Sequence, residues 1–405
     1  MKSALLVTSG LIACAFSQSL SAQSFQPRGS RSANPTTVRP TQTADAATQT
    51  TAVSTDLLQL YAQTKSVRTE ADVTLIARSC TKVVGDKARS KTDREYAASL
   101  FAWALNRRGE LRSDQAAKLV EKGEVNEAAQ LDQLAIDDFK TAVEYGPENW
   151  RVRHNLAIAL AMKGNYAGAI EQLSQSIELK PDYPNAYFNR AELYFELEQY
   201  APAIEDYSRA IQQNNSDPQY YNSRGHCHFM LESFDSALAD YRRATELGSD
   251  SAVYQTDLAD AHQFLGNWEA AAKGYRAAVA INNQLPRAYQ NAAWLMATCP
   301  DPNIRNVELA LSAAKKALEL AGTTTPQALD TLAAATAAAG RYAEAVKLQQ
   351  RAIALTRDPA ERSELGQRME IYQRSQAYIQ PQSLLANQRS DAQIRTASGT
   401  DGAKR

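Results

Sequence analysis

Four cysteines in 405 residues, none in a CxxC pair, leave the chain without the dense disulfide framework that staples small secreted folds. Glycine (17) and proline (14) are scarce, which excludes a fold of many tight turns and makes helix the default. An excess of charge of one sign is missing as well. The 44 Lys and Arg face 45 Asp and Glu, a formal net charge of -1 with no basic run, so neither nucleic acid nor an anionic membrane surface is the expected partner. Past the N-terminus no segment reaches the roughly 18 unbroken apolar residues of a transmembrane helix. Gly-rich phosphate loops, HExxH and GxSxG are absent. The chain is therefore read as non-enzymatic, with no catalytic, cofactor or metal residues. A metal-dependent enzyme is the weaker alternative, resting on His154, His226, His228 and His262, the four histidines of the chain. Adjacent helical residues, and those two apart, point in different directions, so His226-Cys227-His228 cannot converge on one ion.

The two ends differ from the middle. Met1-Lys2, an apolar stretch from Ala4 to Phe16 and small residues up to Ser21-Ala22-Gln23 read as a secretory signal over residues 1–22, which implies an exported protein. Leu11-Ile12-Ala13-Cys14 also resembles a bacterial lipobox, so a lipid anchor at Cys14 stands as the alternative to release. Residues 23–55 and 377–405 hold few large apolar side chains and are expected to be a disordered linker and a disordered tail. Cys80, Cys227 and Cys299 lie at least 72 positions apart, too far to pair in an array whose units touch only their neighbours.

Between the ends runs a period of 34. In frames starting at Trp150, Pro184, Pro218 and Ala252, the seventh and eighth places are Leu156-Ala157, Arg190-Ala191, Arg224-Gly225 and Leu258-Ala259. The twentieth is Ala169, Ala203, Ala237 and Ala271; the twenty-fourth is Leu173, Tyr207, Tyr241 and Tyr275; the twenty-seventh is Ser176, Ala210, Ala244 and Ala278. Places 4, 7, 8 and 11 share one helix face, and places 20, 24 and 27 share a face of a second helix. Small residues at 8 and 20 let the two backbones approach. Gly164-Asn165 and Gly266-Asn267 supply turns suited to positive φ, and Pro181 ends a second helix.

With Tyr187, Arg190, Ala191, Tyr194, Ala203, Tyr207 and Ala210 on its pattern, the chain resembles the tetratricopeptide repeat (TPR). Asn215, Ser249 and Asn283 depart from the closing proline, and Arg replaces Leu at the seventh place twice. The resemblance implies an all-α fold, an α-α superhelical solenoid. Its units are 150–183, 184–217, 218–251, 252–285, 286–325 with a turn lengthened by five residues around Cys299, and 326–359, followed by a capping helix at 360–376. Residues 56–149 form an atypical helical N-terminal section with a degenerate repeat, with helices at 70–84 and 93–108; residues 116–129 do not fit a first helix. The segments 293–301 and 330–335 look like a C-terminal pair recurring in secreted bacterial TPR proteins.

In that family the first-helix face that the core does not use lines a concave groove. Carried over, it comprises Asn155, Phe188, Asn189, Glu192, Phe195, Asn222, Ser223, His226, Phe229, Asp257, Asp260, Gln290, Asn291 and Trp294. Phe188, Phe195, Phe229 and Trp294 suggest a surface meant to be covered, by a partner or by the adjoining hairpin. The sixth place, Asn155, Asn189, Ser223, Asp257 and Asn291, is expected to form a row whose amides hold a peptide backbone, or else merely cap or solvate the helices. The implied function is an envelope scaffold binding a partner peptide or helix; a lipid-anchored assembly factor is the alternative.

Overall fold

The structure is a computed structural model that describes residues 53–381; the expected signal segment, Cys14, the expected linker through residue 52 and the expected tail from residue 382 lie outside the described residues. These residues hold seventeen helices and no strand. They divide into two compact units, residues 53–214 and 215–381.

The first unit holds α1 (Thr55–Thr64), α2 (Glu70–Gly85), α3 (Lys91–Glu121), α4 (Val125–Tyr145), α5 (Trp150–Met162), α6 (Tyr166–Leu179), α7 (Pro184–Glu196) and α8 (Tyr200–Gln213). The second holds α9 (Pro218–Met230), α10 (Phe234–Leu247), α11 (Ala252–Phe264), α12 (Trp268–Ile281), α13 (Pro286–Thr298), α14 (Val307–Ala321), α15 (Pro326–Ala338), α16 (Tyr342–Leu355) and α17 (Pro359–Gln373). From α5 onward the helices pair as hairpins, and within each unit first helices of neighbouring hairpins lie side by side.

Local chemistry explains where the helices start. Pro occupies the first turn of α7, α9, α13, α15 and α17, where no N–H is needed. The side chains of Asp217, Ser251, Asn306, Thr325 and Asp358 accept backbone N–H groups at the starts of α9, α11, α14, α15 and α17. The fifteenth place of the frame turns the chain with positive φ in five hairpins: Gly164 (77°), Glu198 (56°), Glu232 (59°), Gly266 (76°) and Gly340 (73°). Glutamate at two of these places accepts a conformation that glycine adopts without a Cβ penalty.

The hairpin core follows the small-residue pattern. Ala169, Ala203, Ala237 and Ala271 are fully buried, and Tyr207, Tyr241 and Tyr275 fill the space beside them. Burying a ring of that size stabilises by roughly 2–3 kcal/mol. At Gly225 an added Cβ would stand 3.0 Å from the Tyr241 ring, so a side chain at the eighth place of that unit would require the ring to shift by a few tenths of an ångström.

Two regions differ from the sequence reading. Residues 116–121 continue α3, and Gly123 (φ 82°) turns the chain seven residues ahead of the place to which Gly164 projects back by one period. Seven residues are two helical turns, so α3 and α4 keep their facing stripes while forming a hairpin longer than the rest. Arg108 binds both oxygens of Asp138 (2.9 and 2.6 Å), and Arg112 reaches Asp138 (2.8 Å) and Glu70 (2.6 Å), tying α2, α3 and α4 together.

The second difference is at the other end. The segment assigned to a tail from residue 377 begins with packed chain: after α17, Ser375 turns at φ 56°, Tyr378 lies against Trp294, and the Gln380 N–H donates to the Thr298 carbonyl (2.9 Å). Cys299, in the long turn between α13 and α14, is buried beside Ala259, Ala271 and Tyr275, and burial pushes its thiol up. It serves packing.

Candidate functional site

The first-helix faces carry polar side chains that meet across hairpins. In residues 53–214, Asn155 of α5 donates from Nδ2 to Asn106 Oδ1 (3.0 Å) and Glu110 Oε1 (3.1 Å) of α3. One period on, the Asn189 amide lies 2.9 Å from Nε2 of His154, which burial holds neutral by pushing it down to about 4. A neutral Nε2 accepts the amide proton. The Tyr207 hydroxyl donates to Glu192 at 2.5 Å, Phe188 packs at 5.7 Å from the Tyr207 ring, and Phe195 meets Tyr200 edge-on at 5.5 Å.

In residues 215–381 the ninth-place carboxylate recurs as Asp260, and a second carboxylate and a guanidinium join it. Asn222 Nδ2 donates to Asp257 (2.8 Å) and lies 2.9 Å from His226 Nε2. Asp257 also binds Arg287, whose guanidinium lies 3.3 Å from Asp260. Asp260 accepts from the Tyr275 hydroxyl and from Asn291 Nδ2, both at 2.7 Å. Two buried carboxylates thus share one guanidinium. Burial pushes Asp260 up to about 6, while Arg287, Tyr275 and Asn291 hold it from rising further. Burial also pushes the neighbouring His226 down to about 4. Ser223 is buried, Gln290 is half-buried, and Phe229 packs on Phe264 (4.9 Å) and Phe234 (5.3 Å).

The expected sixth-place row is therefore only partly what the sequence suggested. Asn155, Asn189 and Asn291 neither cap nor merely solvate their helices; their amides bind side chains of the preceding hairpin. Phe188, Phe195 and Phe229 pack on rings of their own or the adjoining hairpin, and Trp294 is covered by Tyr378 from beyond α17. His226 and His228 diverge, the first toward Asp257 (3.4 Å), the second toward Asp240 (3.9 Å).

The sequence reading missed a further pair. Arg190 binds both oxygens of Asp206 (2.7 and 2.8 Å), and Arg224 does the same with Asp240 (2.8 and 2.7 Å). The signal was present. Where the seventh place is Arg, Asp stands sixteen residues on; where it is Leu156 or Leu258, Gln172 or Gly274 stands there instead. The departures from the repeat pattern are a coupled exchange of an apolar contact for a bidentate ion pair.

These hairpins, joined by polar contacts between successive first helices, make an all-α repeat array of the protein-interaction scaffold class. Tetratricopeptide-repeat profiles match residues 159–198, 184–217 and 327–358, so the chain carries tetratricopeptide repeats there. Solved structures with a similar fold include a tetratricopeptide repeat protein from Parabacteroides merdae (17% identity, 65% of this chain and 98% of that one, TM-score 0.48). Others are PilW, described as a widely conserved type IV pilus biogenesis factor (16%, 53% and 98%, 0.47), and YrrB, described as having an unusual peptide-binding site (21%, 47% and 95%, 0.39). No curated protein matches the chain.

Proposed function

We propose that the chain is a non-enzymatic scaffold, exported to the cell envelope, that holds a partner polypeptide on its first-helix faces as an extended peptide or a helix. One observation carries this reading: the chain repeats paired helices that tetratricopeptide-repeat profiles match, with first helices side by side within each unit, the arrangement of a protein-interaction scaffold. The side chains of that face outside the buried networks, Met162, Glu196 and Gln290, are the ones left to meet a peptide or a helix. Export rests on the signal-like residues 1–22, with lipidation at Cys14 as the second form of the same proposal.

The test uses side chains outside the buried networks. Met162 and Glu196 are exposed at the ends of α5 and α7, and Gln290 is half-buried on α13. Affinity capture from envelope extract with the full exported chain is expected to recover a partner that Met162→Glu with Glu196→Lys, or Gln290→Lys, releases. A partner retained by every variant would overturn the face assignment. Intact mass of the exported protein is expected to place its start near Gln23 or at a lipidated Cys14; retention of residues 1–22 would overturn export by cleavage.

A further inference from the structure

The contact between the C-terminal segment and α13 has the form of a peptide seated on a receptor. Beyond Ser375 the chain continues through residues 376–381 without helix or strand, and Tyr378 places its ring 5.8 Å from that of Trp294, on the first-helix face. The Arg368 guanidinium lies 5.5 Å from the Trp294 ring and 5.7 Å from the Tyr378 ring, so the three groups close on one another. Arg368 is itself positioned by Asp330 (3.0 and 2.9 Å), which also accepts from Gln349 (2.7 Å). Two residues past the tyrosine, the Gln380 N–H donates to the carbonyl of Thr298, the last residue of α13, one of the carbonyls that a helix end leaves without an internal partner.

We infer that Trp294, Arg368 and the Thr298 carbonyl form a peptide subsite that takes a segment anchored by an aromatic side chain, and that residues 376–381 fill it from within the chain. The anchor ring is recognised by one aromatic face and one cation, and the backbone by an acceptor two residues on. None of these contacts depends on the segment being covalently attached. The segment leaves α17 through Ser375 at positive φ, in a helix-end turn closed by the Ser375 and Gln376 N–H groups on the Tyr372 and Ile371 carbonyls. A tethered occupant also enjoys a high effective concentration, so a free peptide of the same chemistry competes only when the tethered one is weakened. The inference rests on the first-helix faces being binding surfaces and names the chemistry that one end of that surface reads.

The test is binding in trans. A fluorescently labelled peptide of residues 374–381 is titrated into the full chain and followed by anisotropy. The unmodified chain is expected to bind it weakly, and the Tyr378→Ala chain at least tenfold more tightly with one-to-one stoichiometry. Adding Trp294→Leu to that chain, or replacing the peptide's own tyrosine by alanine, is expected to abolish the gain. Should Tyr378→Ala fail to fold, Gln380→Pro removes the donor to Thr298 without touching the aromatic cluster and carries the same test. A folded loosened chain that gains no affinity for the peptide overturns the subsite and leaves the capture result on Met162, Glu196 and Gln290 to decide the wider face. Peptide binding that persists with Trp294→Leu overturns the subsite while supporting peptide binding elsewhere.

Discussion

Residues 53–214 and 215–381 are built on one frame yet join their hairpins by different means. In the first unit the face is joined by amides and a hydroxyl: Asn189 on His154, Asn155 on Asn106 and on the carboxylate of Glu110, and Tyr207 on that of Glu192. In the second, Asp257 and Asp260 are buried together against Arg287, and the neighbouring His226 is held neutral. The core places 8 and 20 hardly change between the units, because backbone approach tolerates only small residues there, and place 24 stays large to fill the space beside them. Places 5, 6 and 9 face a neighbouring hairpin instead, where any pair of groups that satisfy each other serves. The repeat therefore constrains packing tightly and polar partnership loosely.

That contrast can be broken, and the largest effect tests it most directly. Arg287→Met leaves two buried carboxylates without their cation and is expected to destabilise residues 215–381 by about 3–5 kcal/mol. Its counterpart Asn189→Ala removes one neutral hydrogen bond and is expected to cost residues 53–214 about 0.5–1.5 kcal/mol. Hydrogen exchange of α11 and α13 against α5 and α7 reads both; equal losses would end the distinction.

The common core should respond alike in both units. Ala203→Leu and Ala237→Leu each overpack a fully buried crossing and are expected to cost about 1–3 kcal/mol. Urea unfolding of the two variants checks this, and a silent substitution in either unit would mean that its crossing is looser than the frame requires.

Acidification should separate the units again. His154 has a folded value of about 4 against an ordinary 6.5, so the unfolded chain takes up its proton first, and residues 53–214 lose stability as pH falls through that window. His226 acts in the same direction in residues 215–381, but Asp260 (about 6) and Glu364 (about 7) are raised. A raised carboxyl destabilises the fold when charged and is relieved as pH drops below its folded value. Between pH 8 and 5.5 the first unit is expected to lose about 1 kcal/mol while the second holds or gains. Exchange profiles at the two pH values decide it, and a parallel loss would contradict the assignment. The smallest effect sharpens the turn chemistry: Glu198→Gly and Glu232→Gly relieve positive φ and are expected to stabilise by about 0.5–1 kcal/mol each, read from denaturant midpoints.

Much of the fold was legible in the residues. The register of Ala169, Ala203, Ala237 and Ala271 implied paired helices, and the turn glycines marked where they reverse. The long α3/α4 hairpin was not legible, because a turn displaced by two helical turns preserves the facing stripes and erases the 34-residue period that would reveal it. Of the candidate face, the residues were named but not their state. Asn189 was read as holding a peptide or capping its helix and instead binds His154, and Trp294 was read as covered by a partner or the adjoining hairpin and instead lies under Tyr378 from beyond α17.

What the sequence determined by itself is the period, the hairpin and the family, since these follow from which side chains share a helix face within a few turns. The tertiary structure alone decided which polar groups answer one another across hairpins, where Asp257 finds Asn222 and Arg287, and that the chain returns to lay Tyr378 on Trp294. Those choices depend on distances between groups some thirty to eighty residues apart, and a hydrogen bond or a ring contact exists only where the folded backbones bring its two halves within reach.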